Sequence, residues 1–167
     1  KKRAAVLGAG SWGTALAKVL AENGYDTRLW SRDPALAHAI DAQRENPRYL
    51  PGIELPSNLR SEVELGAALA GAAVVTLVVP SHALRTLAAK LRELLVEDVP
   101  IVVAIKGIEN DSLELPSQIL ERSLPPKLHT QLTYLSGPSF AKEVALGVPT
   151  GVLVAGKDDA VAQRVQE

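Results

Sequence analysis

Three glycines near the start of the chain are spaced for phosphate chemistry. The stretch Val6-Leu7-Gly8-Ala9-Gly10-Ser11-Trp12-Gly13-Thr14-Ala15 sets Gly8, Gly10 and Gly13 in a G-x-G-x-x-G pattern. Arg3 to Leu7 form a short, mostly apolar run that reads as a strand. From Thr14 the spacing turns helical, with Leu16, Val19 and Leu20 on one face. Each glycine has its own task at such a junction. Gly8 permits the sharp turn out of the strand, and Gly10, lacking a Cβ, lets a pyrophosphate approach the backbone. Gly13 lets the helix lie close to the sheet. The free N–H groups opening the helix then face the phosphates, with the positive end of the helix dipole behind them. That dipole contributes roughly 0.3–1 kcal/mol to an exposed anion and about 2 in a partly buried site. A strand before the pattern and a helix after it point to dinucleotide binding.

Four further groups of residues could take part. Arg32 lies about 20 residues beyond the glycine turn, where an NAD-specific site usually has an acidic residue. Its guanidinium can pair with a 2′-phosphate or lie flat on the adenine; the plain alternative is a solvated surface arginine. NADP is expected to bind at least as well as NAD. Lys106 follows five apolar residues and precedes a glycine. It either snorkels to solvent or aims its charge at a substrate phosphate or a carbonyl oxygen gaining negative charge. Gly137-Pro138-Ser139 is a second turn that could offer N–H and hydroxyl donors to a small anion, with Pro138 suited to a first helical position. Among the apolar and aromatic residues beside these loops, Trp12 reads equally as core or as cofactor contact. Phe140 reads as core, and His82 as capping or packing beside Ser81.

The chain has 167 residues, a formal net charge of -1 and no cysteine. Near-balanced charge argues against general attraction to nucleic acid or to anionic membrane. Without cysteine, disulfides and thiolate chemistry are excluded. The three histidines, His38, His82 and His129, lack metal-ligand spacing, so no metal is expected. Lys1-Lys2-Arg3 and the apolar run after it superficially resemble a signal peptide, but spaced glycines interrupt the run and the fold needs it as a first strand. Gly66 to Pro80, the longest apolar stretch, is too short to span a bilayer. The cytosol is the default compartment.

Strands and helices alternate throughout. Strands are expected at Asp26–Trp30, Asn58–Arg60, Ala73–Val79, Ile101–Ile105, Leu132–Leu135 and Thr150–Val154. Helices are expected from Pro34 to about Arg44 with Asp33 as cap, from a Ser61 cap to Leu69, and from Ser81 to about Leu95. Three more are expected over Leu115–Arg122, up to about Leu146, and from Asp158 onward. Such alternation predicts an α/β fold, a doubly wound parallel sheet of the Rossmann type, over residues 1–167 as one dinucleotide-binding domain. Ligands should sit outside the carboxyl ends of the strands. This marks Gly8 to Gly13, Ser31-Arg32, Pro80-Ser81, Lys106-Gly107 and Gly137-Pro138-Ser139. The abrupt end, the apolar face of Ala160, Val161 and Val165, and the absent initiator methionine suggest a trimmed chain.

Several stretches coincide with one family. Besides the glycine turn these are Leu29-Trp30-Ser31-Arg32-Asp33, Asn46-Pro47-Arg48-Tyr49-Leu50-Pro51-Gly52 and Val78-Val79-Pro80-Ser81. Two more are Ile105-Lys106-Gly107-Ile108-Glu109 and Ser136-Gly137-Pro138-Ser139-Phe140-Ala141. The chain resembles the N-terminal domain of the bacterial-type NAD(P)-dependent sn-glycerol-3-phosphate dehydrogenases. The resemblance implies reversible reduction of dihydroxyacetone phosphate to sn-glycerol 3-phosphate for glycerophospholipid synthesis, with NAD or NADP as cofactor. It also implies a full-length homodimer in the cytoplasm. By position, Gly8, Gly10, Ser11, Trp12, Gly13, Arg32, Pro80, Lys106 and Ala141 would contact the cofactor. Lys106, the one catalytic candidate, would contact the substrate with Gly137 and Ser139. The family continues into a helical domain that supplies a lysine proton donor and an arginine-asparagine segment. No residue here matches either, so a domain that binds cofactor but turns over little is expected. The alternatives are a related hydroxyacid, 6-phosphogluconate or ketopantoate reductase domain, and a non-catalytic dinucleotide-binding redox sensor.

Overall fold

A computed structural model describes residues 2–167. Seven strands form one sheet: β1 (Arg3–Leu7), β2 (Asp26–Trp30), β3 (Leu59–Glu62), β4 (Ala72–Leu77), β5 (Ile101–Val103), β6 (Leu132–Ser136) and β7 (Leu153–Gly156). Seven α-helices connect or follow them: α1 (Ser11–Glu22), α2 (Pro34–Gln43), α3 (Leu65–Leu69), α4 (Ser81–Leu91), α5 (Pro116–Ser123), α6 (Ala141–Ala145) and α7 (Asp159–Gln166). The strand order is β3-β2-β1-β4-β5-β6-β7. From β1 the chain builds outward to β3, then returns to β4 on the other side. The order therefore reverses between β1 and β4, and a crevice opens at their carboxyl ends.

Successive residues of β1 point to opposite faces of the sheet. Ala5 and Leu7 join a core with Leu77, Leu84, Leu91, Ile101, Ile119 and Leu132. Val6 joins the opposite core with Ala17, Leu29, Leu36, Ile40 and Leu59. Both faces are covered, which explains the nearly unbroken apolar runs of the central strands. Each such leucine or isoleucine contributes roughly 1.5–3 kcal/mol by leaving water. Helix α1 buries only small residues, Gly13, Thr14, Ala15, Ala17 and Ala21, and so lies close against the strands. Asp33 caps α2 as expected, its Oδ1 accepting the N–H groups of Ala35 and Leu36 at 3.0 and 3.2 Å.

Three expectations need correction. Ser61 does not cap a helix. It pairs with Leu29 inside β3, its N–H donates to Asp41 Oδ1 and its hydroxyl to the Ala37 carbonyl, so α3 starts only after Glu64. The sheet is parallel except at its last pair, where β7 runs antiparallel to β6. The only α-helix between them, α6, has five residues and is about 7–8 Å long. It packs on α1 through Ala145 and Val144, so the chain re-enters the sheet from the carboxyl end. A 3₁₀ helix at Pro126–Gln131, also unforeseen, leads into β6. Among the described residues, no helix is long and apolar enough to cross a membrane.

Candidate functional site

The glycine turn closes the crevice between β1 and β4. Gly8 has φ +127°, and a Cβ on it would meet the Val78 carbonyl oxygen at 2.5 Å. A Cβ on Gly13 would stand 1.8 Å from the carbonyl oxygen of Gly8, so the first turn of α1 is packed on the turn backbone itself. Gly10 is different. A Cβ there would meet nothing within 4 Å, and its φ of -78° suits any residue. Packing does not require glycine at position 10, and the missing side chain leaves the turn backbone open to the crevice. No side chain caps α1, which leaves its first N–H groups directed at the crevice.

A second loop holds this turn in place. Asn46 is fully buried, its amide donating to the Ala9 carbonyl at 3.0 Å and to Thr14 Oγ1 at 2.8 Å. Its side-chain oxygen accepts the Tyr49 N–H at 3.1 Å, and the Ser11 hydroxyl donates to the Tyr49 carbonyl at 2.5 Å. Ala9 and Thr14 are more than 30 residues from Asn46, whose sequence signal is confined to the Asn-Pro-Arg-Tyr-Leu-Pro-Gly loop. Arg48 and Tyr49 of the same loop reach the crevice. Arg48 Nη1 bonds Asp33 Oδ2 at 2.7 Å, and its guanidinium lies over the Tyr49 ring, 5.9 Å from the centroid. The Arg48 hydrogen bond, then the Leu36 N–H, hold the Asp33 carboxyl below the usual carboxylate range.

The crevice has a volume of about 900 Å³. Gly8, Gly10, Ser11, Trp12 and Gly13 line it from the turn, Arg32 from the end of β2, and Pro80 from the head of α4. Lys106, Ser139 and Ala141 line it from the far side. Arg32 is exposed and makes no side-chain hydrogen bond or ion pair among the described residues. Trp12 Nε1 is buried without a partner. Lys106 Nζ lies 6.0 Å from the centroid of the Trp12 ring, a cation–π contact worth about 0.5–1 kcal/mol at an exposed site. The loop bearing Lys106 turns at Gly107, φ +101°, and is anchored by Glu109, which is 8 % exposed. Arg85 grips Glu109 at both oxygens, Nε to Oε1 at 3.1 Å and Nη2 to Oε2 at 2.6 Å. The Arg85 bond first, then the Ser112 hydroxyl, lower the Glu109 pKa.

The Gly-Pro-Ser turn departs from expectation. Gly137 does not line the crevice. A Cβ on it would meet the Gly151 carbonyl at 2.8 Å and Val152 Cα at 3.1 Å, so it makes room for the segment entering β7. Pro138 is outside the helix, because α6 starts at Ala141. The Ser139 hydroxyl donates to the Gly137 carbonyl at 3.3 Å. Phe140 is 70 % exposed rather than core. His82 neither caps nor packs; it is exposed on the crevice wall, where Thr86 and Lys90 of α4 join it unforeseen.

The family model described as NAD-dependent glycerol-3-phosphate dehydrogenase N-terminus matches residues 3–162. The chain belongs to this family. A glycerol-3-phosphate dehydrogenase [NAD(P)+] from Anaeromyxobacter dehalogenans is 48% identical over 165 residues, covering 99% of this chain and 50% of the relative. One from Leptospira biflexa is 44% identical over 162 residues, 97% of this chain and 49% of the relative. The crystal structure of glycerol-3-phosphate dehydrogenase from Coxiella burnetii superposes with TM-score 0.89 at 34% identity, over 99% of this chain and 50% of that one. The chain thus spans about half the length of the curated relatives it matches. Membership of this family displaces the hydroxyacid, 6-phosphogluconate and ketopantoate reductase readings. A UDP-D-ManNAc dehydrogenase from Pyrococcus horikoshii, at 15% identity and TM-score 0.73, shares the fold alone.

Proposed function

We propose that residues 1–167 are the nucleotide-binding domain of a glycerol-3-phosphate dehydrogenase and hold NAD(P)(H) across the crevice. The observation that carries this is Gly10: a glycine whose Cβ would fill only open crevice, at the head of an uncapped helix. The partnerless Trp12 Nε1 and the unpaired Arg32 fit the same ligand. The α1 N–H groups would take the pyrophosphate, and Arg32 the adenosine end. Trp12, Pro80 and Ala141 would give apolar and backbone contact, with Gly8 and Gly13 shaping the turn. When bound, the dinucleotide supplies hydride-transfer chemistry. Lys106 would place its charge against the substrate's phosphate or carbonyl oxygen, where preorganised positive charge counts most. Ser139 lines the crevice on the same side and could contact the substrate, whereas Gly137 is proposed only as the residue that sets that turn.

The substrate pair in this reading is dihydroxyacetone phosphate and sn-glycerol 3-phosphate, serving glycerophospholipid synthesis in the cytoplasm, with the full-length protein a homodimer. Carbonyl reduction also needs a proton delivered to oxygen, and no group of residues 1–167 is assigned that task. We therefore expect these residues alone to bind nucleotide and to turn over little substrate. Tryptophan fluorescence tests the binding. Titration with NADH should quench it saturably, and Trp12→Phe should remove most of the quench. No saturable change, or an undiminished quench in Trp12→Phe, would count against the reading.

A further inference from the structure

The adenosine end of the crevice carries two guanidinium groups and one carboxylate. Arg32 makes no ion pair among the described residues, whereas Arg48 is committed to Asp33 at 2.7 Å. A carboxylate shortly after the second strand ordinarily hydrogen-bonds the ribose 2′-hydroxyl, and its charge repels a 2′-phosphate. Asp33 is one residue beyond Arg32 on that same segment and also lines the crevice. Its Oδ1 is occupied by the Ala35 and Leu36 N–H groups and its Oδ2 by Arg48. Asp33 is thus turned from a ribose acceptor into a helix cap with its charge compensated. Arg48 is brought there by a different loop, which Asn46 and Ser11 fasten to the glycine turn.

Resting on the proposed nucleotide site, we propose that Arg48 is a specificity-determining residue: by holding Asp33 it opens the adenosine end to a 2′-phosphate. Arg48 and Asp33 side chains are 53% and 35% exposed. A pair so solvated adds little to stability, so a variant lacking it should fold. Its effect falls instead on the local charge, which a doubly charged phosphate a few ångströms away would feel. Arg32 supplies the fork that pairs with the phosphate; Arg48 removes the opposing charge.

The test compares NADH and NADPH affinities, read by tryptophan quenching, in the wild-type chain, Arg48→Ala and Arg48→Ala/Asp33→Asn. Asparagine keeps the helix cap while deleting the charge. Wild type should bind NADPH at least as tightly as NADH. Arg48→Ala should weaken NADPH by about tenfold, the scale of one lost charge-assisted contact, and NADH by less than about threefold. The double variant should regain most of the NADPH affinity. Equal losses for both nucleotides would show that Arg48 only steadies the Tyr49 loop and would overturn the proposal. So would a double variant no better than Arg48→Ala. A wild-type chain that binds neither nucleotide would defeat the parent reading as well; binding of both with an unmoved ratio would defeat this inference alone.

Discussion

At the end of the crevice proposed for the nucleotide, the glycine turn is held from several sides. The Gly13 Cα packs on the Gly8 carbonyl, Gly8 faces Val78, and buried Asn46 ties the Tyr49 loop to Ala9 and Thr14. At the end proposed for the substrate, Lys106 is exposed, Ser139 makes one hydrogen bond to its own turn, and Phe140 is mostly in solvent. β7, which pairs with β6 just before the Ser139 turn, is an antiparallel edge strand with Leu153 65 % exposed. The first region spends many of its hydrogen bonds on its own backbone, while the α1 N–H groups, Trp12 Nε1 and Arg32 have no side-chain partner among the described residues. The second presents Lys106 and Phe140 to solvent, its support coming from the Arg85–Glu109 pair further along the Lys106 loop. Substitutions at the packed positions of the first end, Gly13 and Asn46, should therefore damage fold and nucleotide binding together, whereas those at Lys106 or Ser139 should leave both nearly intact.

The largest effect should come from Gly13→Ala. The new methyl would meet backbone, which cannot swing away, so a loss of about 1–3 kcal/mol from overpacking is expected. NADH binding should also fall more than tenfold. Chemical denaturation and nucleotide titration check the two halves. Asn46→Ala should follow, costing about 1–3 kcal/mol because the Ala9 carbonyl, Thr14 hydroxyl and Tyr49 N–H lose a buried partner. Ser139→Ala, its counterpart at the substrate end, should change stability by no more than about 0.5 kcal/mol. If the two cost the same in urea melts, the contrast between the ends is wrong.

Lys106→Ala should leave the fold and NADH affinity nearly unchanged, the latter within about threefold, as expected for losing one exposed cation–π contact. It should weaken dihydroxyacetone phosphate binding to the NADH-loaded chain, measured by calorimetry. The smallest effect is the pH response of the Glu109 anchor. Its carboxyl titrates below the ordinary value of 4.5, chiefly because Arg85 bonds its charged form. A lowered folded pKa gives stability that is present above 4.5 and lost as pH falls through the folded value. Thermal melts from pH 6 downward should show this loss, and Glu109→Gln should flatten it. An identical acid slope in both proteins would remove Glu109 from the account.

The geometry of the glycine turn and of the Asp33 cap is legible in the sequence because its demands are local. Gly8, Gly10 and Gly13 lie within one turn, and Asp33 before Pro34 announces a cap wherever it occurs. What could not be read depends on distant chain. Ser61 looks like a cap until Asp41 and Ala37 take its hydrogen bonds. Gly137 looks like a ligand turn, yet Gly151 and Val152, distant in sequence, pass beside it and by themselves demand a glycine. Asn46 and Arg48 carry no local pattern for their tasks, since their partners are in the turn and at the α2 cap. The direction of β7 was hidden because a five-residue helix satisfies the same alternation as a full crossover.

Gly10 offers the most direct test of the central claim, because it separates ligand from fold. Gly10→Ala adds one methyl that touches nothing in the protein, so stability should stay within about 1 kcal/mol, the scale of losing glycine at an N-cap. Titrated with NADH beside the wild type, this variant should bind at least tenfold more weakly. Equal NADH affinity in the two proteins would mean that no pyrophosphate rests on that turn.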